Sequence, residues 1–272
     1  INFPYADEHP PVNLAAAPMT HTAGTLSLPC TSRGGTVVII TKPDPALMLA
    51  MIPKYKVTET YLPPTVIYRL LDVPDLAQKV DFSSLKYFLY GAAPMSVDKL
   101  KQAIETFGPV MAGGYGQTEA PASISNLPPA EHLHGGRLAT DERLSSVGRP
   151  NPLVRVEILS DAGDILGQGQ TGEICVRGDL VMKGYYKDPQ KTAETIVDGW
   201  LHTGDIGHFD VHGYLHITDR KKDMIISGGF NVYPSEVEQV LWSHPAVQDC
   251  AVIGVPDEQW GEGVKAVVEL SA

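Results

Sequence analysis

The feature that most restricts the fold is a rhythm. From residue 13 to about residue 126, short apolar runs alternate with helical segments. TVVIIT (36–41) and KYFLY (86–90) are of buried-strand type, because β-branched and aromatic side chains suit a pleated surface. Helical patterns fall at Pro45–Tyr55, 65–71 and Val97–Phe107. The last has Ser96 as its expected N-cap, Asp98 in the first turn and Gly108 just past the end. Strands and helices in that order imply an α/β domain with a mainly parallel, doubly wound sheet and helices on its faces.

After Ser146 the texture changes. Residues 154–159, Gly172–Arg177, 200–202 and 214–218 read as short strands divided by Asp-Gly and Gly-rich turns, with one brief helix near 189–196. That pattern suits a small antiparallel, barrel-like sheet. The run DRKKDMIISGG (219–229) reads as a connection between domains. Beyond it, Ser235 and Glu238 form an S-x-x-E capping box for a helix through Trp242, and 246–255 reads as a strand. The expected division is a large domain over 1–221, with an α/β part to about 145 and a β-rich part over 146–221, then the start of a small α+β domain over 222–272. The chain opens without methionine and closes on what reads as a strand cut short, so it is taken as a piece of something longer.

Composition excludes some classes. A net charge of -11 and a pI near 5.2 argue against a nucleic-acid binder, which needs a basic face for phosphates. Cys30, Cys175 and Cys250 lie far apart with no C-x-x-C spacing, which fits a reducing cytoplasm better than a disulfide framework. No signal peptide and no apolar run of bilayer length stands out. Residues 167–172 satisfy G-x-G-x-x-G, but a strand follows where a dinucleotide turn needs a helix N-terminus, so the match reads as a plain turn. His202, His208, His212 and His216 lack the paired spacing of a zinc site and no cysteine joins them in sequence. They read as surface or hydrogen-bonded histidines.

GGYGQTE (113–119) is harder to assign to packing. By itself it reads as a tight turn with a capping Thr and a solvated Glu. Its parts also suit a nucleotide: Tyr115 offers a flat ring for a base, the glycines let backbone approach phosphates, Thr118 offers a hydroxyl, and Glu119 a hard oxygen ligand for Mg²⁺. Asp205 in WLHTGD (200–205) can accept from both hydroxyls of a ribose. Arg220 in DRKKD can pair with ribose or phosphate.

PMTHTAG (18–24), YGAAP (90–94), GGYGQTE, GEICVRG (172–178), KGYYKDPQKTAE (183–194), WLHTGDIG (200–207) and DRKKDMIISGGFNVYPSEVE (219–238) occur in one order. Together they resemble the adenylate-forming superfamily of acyl-CoA synthetases, luciferases and peptide-synthetase adenylation domains, over residues 18–268. The resemblance implies ATP-dependent activation of a carboxylic acid as acyl-adenylate, then thioester formation with coenzyme A. It implies that Gly91, Ala92, Ala93, Gly114, Tyr115 and Gly116 line the adenine slot, with Tyr115 stacking. Thr118 would touch phosphate, Glu119 would bind Mg²⁺, and Asp205 with Arg220 would hold the ribose. Lys222 falls at the family's hinge, and Ser227, Gly228 and Gly229 border the channel for the pantetheine arm of coenzyme A. His21 resembles the histidine beside the acyl pocket, with Tyr61, Pro64, Thr65 and Ala120 as further lining, and Thr20 stands where the family often has an aromatic residue. Without an Asp in that motif to pair an ammonium, a fatty or aromatic acid is expected.

Two elements of the family pattern are absent between residues 1 and 272: the Ser/Thr/Gly-rich phosphate loop and the lysine that assists adenylation. These residues alone are therefore expected not to ligate acids. A ligase loading an acyl carrier protein, and a non-catalytic nucleotide-binding or scaffolding module, are the alternative readings. Expected partners are the acid, ATP and coenzyme A, with a homodimer compatible and a cytoplasmic location.

Overall fold

In a computed structural model, residues 9–20, 22–257 and 259–270 are described. They form two compact units: one runs to Val154 and includes Asp179–Met182, and the other contains Arg155–Gly178 and continues from Lys183.

The first unit follows the expected rhythm, with additions. In order it contains β1 (Val12–Ala15), α1 (Thr22–Ser32), β2 (Thr36–Ile39), α2 (Pro45–Tyr55), β3 (Glu59–Leu62), α3 (Pro64–Leu71), α4 (Pro74–Ala77), β4 (Tyr87–Gly91), α5 (Val97–Phe107), β5 (Met111–Gln117) and β6 (Ala120–Leu127). A two-residue-per-strand hairpin of β7 (Leu133–His134) and β8 (Arg137–Leu138), then α6 (Asp141–Ser145) and β9 (Arg149–Pro150), complete it. The sheet order is β2-β1-β3-β4-β5-β6-β9. The first five strands pair parallel, and β6 and β9 antiparallel.

The core lies between this sheet and helices α2, α3 and α5. Leu100, Ala103, Ile104 and Phe107 of α5, spaced i, i+3, i+4 and i+7, are buried against Phe88, Met111 and Leu70. Phe107 meets Phe88 at 4.9 Å and Phe82 edge-on at 5.2 Å. Ser96 does not cap α5 with its side chain; its N–H donates to the Tyr68 hydroxyl at 2.9 Å, which ties the helix start to α3. α2 is capped as residue types dictate, the Asp44 carboxylate accepting from Leu47 N–H at 2.8 Å with Pro45 at the first position.

The second unit holds β10 (Arg155–Leu159), β11 (Gly172–Arg177), α7 (Pro189–Thr195), β12 (Ile196–Val197), β13 (Trp200–Phe209) and β14 (Leu215–Arg220). It continues with β15 (Ile225–Ser227), β16 (Phe230–Val232), α8 (Pro234–Trp242), β17 (Val247–Asp257) and β18 (Gly261–Leu270). β10-β11-β13-β12 form an antiparallel sheet with β14 also on β13, and β16-β15-β18-β17 form a second. The segment 219–229, read from sequence as a connection between domains, comprises the end of β14, a turn, β15 and the tip of the β15–β16 hairpin.

The capping box of Ser235 and Glu238 does not form. Ser235 lies inside α8, its hydroxyl donates to the Thr218 carbonyl, and its N–H donates to the Asp219 carboxylate at 3.0 Å. Glu238 accepts from Val252 N–H on β17 at 2.8 Å. The helix start is fastened from β14, and its acidic residue serves the sheet.

Candidate functional site

In the first unit the predicted residues collect at the carboxyl ends of the parallel strands, where open α/β sheets bind ligands. Gly91 ends β4, opposite Gly114 of β5. A Cβ on Gly91 would stand 2.5 Å from the Gly114 carbonyl oxygen, so only glycine allows this approach. The next residue, Ala92, takes φ +66°, a left-handed conformation that costs a non-glycine residue about 1 kcal/mol or more and collects at functional sites. Ala92 and Ala93 are exposed, forming a shelf beside the end of β5.

GGYGQTE is not a glycine turn. Gly113, Gly114, Tyr115 and Gly116 continue β5, and none of these glycines has positive φ. Their lack of side chains serves the neighbouring strand instead. A Cβ on Gly113 would stand 2.9 Å from the Tyr90 hydroxyl, which lies 2.9 Å from His132 Nε2. The chain reverses only at Thr118 and Glu119, between the paired residues Gln117 and Ala120. Thr118 is exposed and Glu119 half-buried; the Glu119 carbonyl accepts from Met182 N–H at 2.7 Å. A hydroxyl and a carboxylate on one corner are oxygen donors of the kind Mg²⁺ takes.

Tyr115 is 8 % exposed, packed on β5 opposite Ser125. On the same hairpin the side-chain amide nitrogens of Gln117 and Asn126 are buried with no hydrogen-bond partner. Buried donors are nearly always satisfied, and these two lie on the hairpin that carries Thr118 and Glu119. Of the expected acyl-pocket residues, Tyr61, Pro64 and Ala120 are buried and Thr65 is exposed; His21 lies outside the described residues.

In the second unit Asp205 on β13 faces Arg220 on β14 in register, with Arg220 Nε 3.7 Å from Asp205 Oδ1. The Asp205 side chain is 15 % exposed, Arg220 63 %. Thr203 fixes the strand here, donating to the Ile174 carbonyl at 2.7 Å and accepting from Asp205 N–H at 3.1 Å. Lys222 is exposed in the turn after β14. Ser227, Gly228 and Gly229 sit at the β15–β16 hairpin, with φ +57° and +83° at the two glycines. Trp260 backs this tip: its carbonyl accepts from Gly228 N–H at 2.8 Å, and its ring fills the space where a Gly228 Cβ would go.

Sequence reasoning did not anticipate the cluster around Glu173 on β11. Its carboxylate accepts from Gly204 N–H at 3.0 Å and Lys221 Nζ at 3.2 Å, and lies 3.1 Å from His202 Nδ1. Burial pushes this carboxyl up, but the bonds from His202, Lys221 and Gly204 outweigh it and hold it below the usual range. Cys175, directly opposite His202 across the strands, brings its Sγ to 3.6 Å from the same Nδ1. Burial first, then the Glu173 charge, pushes the Cys175 thiol up to about 12. A cysteine therefore does join one of the four histidines, correcting the expectation from spacing. His208 and His216 stack at 5.1 Å, and His216 Nε2 lies 3.3 Å from Asp210, in keeping with the hydrogen-bonded role expected.

The chain is similar to known proteins. The AMP-binding enzyme family matches residues 3–186, and the AMP-binding enzyme C-terminal domain matches 236–272. A medium/long-chain-fatty-acid–CoA ligase of Mycobacterium tuberculosis is 44% identical over 257 residues, covering 94% of this chain and 44% of the relative. A feruloyl-CoA synthase of an Amycolatopsis species is 40% identical, covering 94% of this chain and 50% of the relative. The solved amide bond synthetase McbA of Marinactinospora thermotolerans superposes with a TM-score of 0.90 at 40% identity, covering 97% of this chain and 52% of that one. The chain thus spans about half the length of these relatives.

Proposed function

Because the chain belongs to the AMP-binding enzyme family, we propose that it forms part of an AMP-forming acid–CoA ligase acting on a fatty or aromatic acid. The observation that carries this reading is the collection of residues 91–93 and 114–119 at the carboxyl ends of β4 and β5. Fatty-acid and feruloyl specificities among the similar proteins support an acid without an α-amino group.

In this reading the carboxylate attacks the α-phosphate of ATP, releasing pyrophosphate, and the coenzyme A thiol then takes the acyl group and releases AMP. Gly91, Ala92, Ala93, Gly114 and Gly116 provide backbone without bulk beside the adenine, and Tyr115 supplies the ring against it. Thr118 contacts phosphate, and Glu119 would hold Mg²⁺, which would supply positive charge to offset the repulsion of an incoming carboxylate. Asp205, steadied by Arg220, accepts from the ribose hydroxyls. Lys222, exposed in a short turn, is the hinge at which a small domain from residue 222 begins. Ser227, Gly228 and Gly229 form the low wall along which the pantetheine arm runs.

The test is pyrophosphate release by the full-length protein with a panel of fatty and aromatic acids, followed by acyl-CoA detection. Acid-dependent release with thioester formation supports the reading. ATP binding with no acid-dependent release would sink it and favour a nucleotide-binding module.

A further inference from the structure

Three ligand-bearing side chains outside the residues assigned above share one face of the β10–β14 sheet. Glu173 and Cys175 are two residues apart on β11, so they point the same way, and His202 is the register partner of Cys175 on β13. One oxygen, one sulfur and one nitrogen from these residues lie within 4.8 Å of one another. Tetrahedral zinc, with bonds near 2.0–2.3 Å, holds a nitrogen and an oxygen ligand about 3.3 Å apart and a nitrogen and a sulfur about 3.6 Å apart. The observed separations are 3.1 Å for His202 Nδ1 to Glu173 and 3.6 Å for His202 Nδ1 to Cys175 Sγ. The two separations from His202 therefore already match a coordination sphere, and the third, between Glu173 and Cys175, is within 4.8 Å. Cys175 is fully buried and packs with Leu159 and Trp200, giving the site a dry floor, while the half-buried His202 leaves solvent access for a fourth ligand.

We propose that Glu173, Cys175 and His202 bind one thiophilic divalent cation, zinc above all. Sulfur and imidazole together select zinc over magnesium, which prefers oxygen. Binding replaces the Cys175 S–H with an S–metal bond, and the thiol proton leaves to solvent. In the empty site the His202 Nδ1–H donates to Glu173; on binding, Nδ1 gives its lone pair to the metal, its proton leaves to solvent, and Nε2 carries the ring proton. Lys221 is the built-in competitor: its ammonium lies 3.2 Å from the Glu173 oxygen that also faces His202, and 2.8 Å from exposed Asp161. A dication at Glu173 repels that ammonium toward Asp161, so metal occupancy and the anchoring of the turn after β14 are mutually exclusive in part.

Cobalt(II) titrated into the full-length protein tests this, read by its thiolate-to-metal charge-transfer band and by displacement with zinc. The expected result is one equivalent bound with the band present. Cys175→Ser abolishes the band, His202→Asn weakens binding at least about tenfold, and Lys221→Met tightens it several-fold. No band in the wild type, a band surviving in Cys175→Ser, or unchanged affinity in Lys221→Met overturns the proposal. Lys221→Met keeps the test sound should a ligand variant unfold, since lost folding cannot tighten binding. None of these readouts depends on ATP, acid or coenzyme A, so a failed ligase assay leaves the result interpretable.

Discussion

Gly113 shows how a residue's reason can lie on another strand. Its missing side chain admits the Tyr90 hydroxyl at 2.9 Å from the Cβ position, with Leu127 Cβ at 3.3 Å, so Gly113→Ala is expected to destabilise the protein by about 1–3 kcal/mol through overpacking. Tyr90→Phe removes the clashing oxygen, and a double-mutant cycle in denaturant should show the two substitutions coupling favourably. Glu119 carries the Mg²⁺ role in the proposed reading. Glu119→Gln keeps the shape and removes the charge, so acid-dependent pyrophosphate release should fall about 10²–10³-fold and saturate at higher Mg²⁺, with thermal stability nearly unchanged. The residue types of 113–119 were legible as unusual in sequence; that the glycines serve Tyr90 and the close pairing of β4 with β5 was not, because a one-dimensional pattern does not show what lies across a strand.

Among the elements, α5 was readable to its ends, since its apolar spacing and Gly108 are local signals. α8 was readable in extent but not in its fastening. Asp219 accepts from both Ser235 N–H and its neighbour Arg220 N–H, acting as a cap contributed from β14 and placing negative charge at a helix start. Asp219→Ala is therefore expected to loosen the first turn of α8, costing about 1 kcal/mol, with hydrogen exchange quickening at residues 235–238 before the rest of the helix. Uniform exchange along α8 would contradict this.

At the scale of the whole molecule, buried His132 links stability to pH. Its Nδ1 lies 3.0 Å from the Pro128 carbonyl, which can only accept, so Nδ1 carries the proton and Nε2 accepts from Tyr90. Burial pushes its pKa down from 6.5 to about 4, and burial likewise pushes the Tyr90 hydroxyl up, keeping it a donor. Between those two pH values an unfolded chain binds a proton that the folded one refuses. Stability is thus full above about pH 6.5 and is lost progressively as pH falls toward 4, by about 3 kcal/mol in all. Denaturant midpoints of the wild type should drop through that window more steeply than those of His132→Gln; equal slopes would remove His132 as the cause. Among the described residues no helix is long and apolar enough to cross a membrane.

The sequence by itself determined the alternation of strands and helices, the change of texture after Ser146, and the order of motifs from PMTHTAG to the segment ending at Glu238, and with that order the family. Those are signals of composition and spacing, which act locally. Only the tertiary structure decided that GGYG is strand, that Asp219 caps α8, and that Cys175 meets His202 and Glu173 although 27 residues separate the first two. Strand register sets such meetings. Register follows from what each face buries once the sheet is assembled, and no stretch of the chain states it alone.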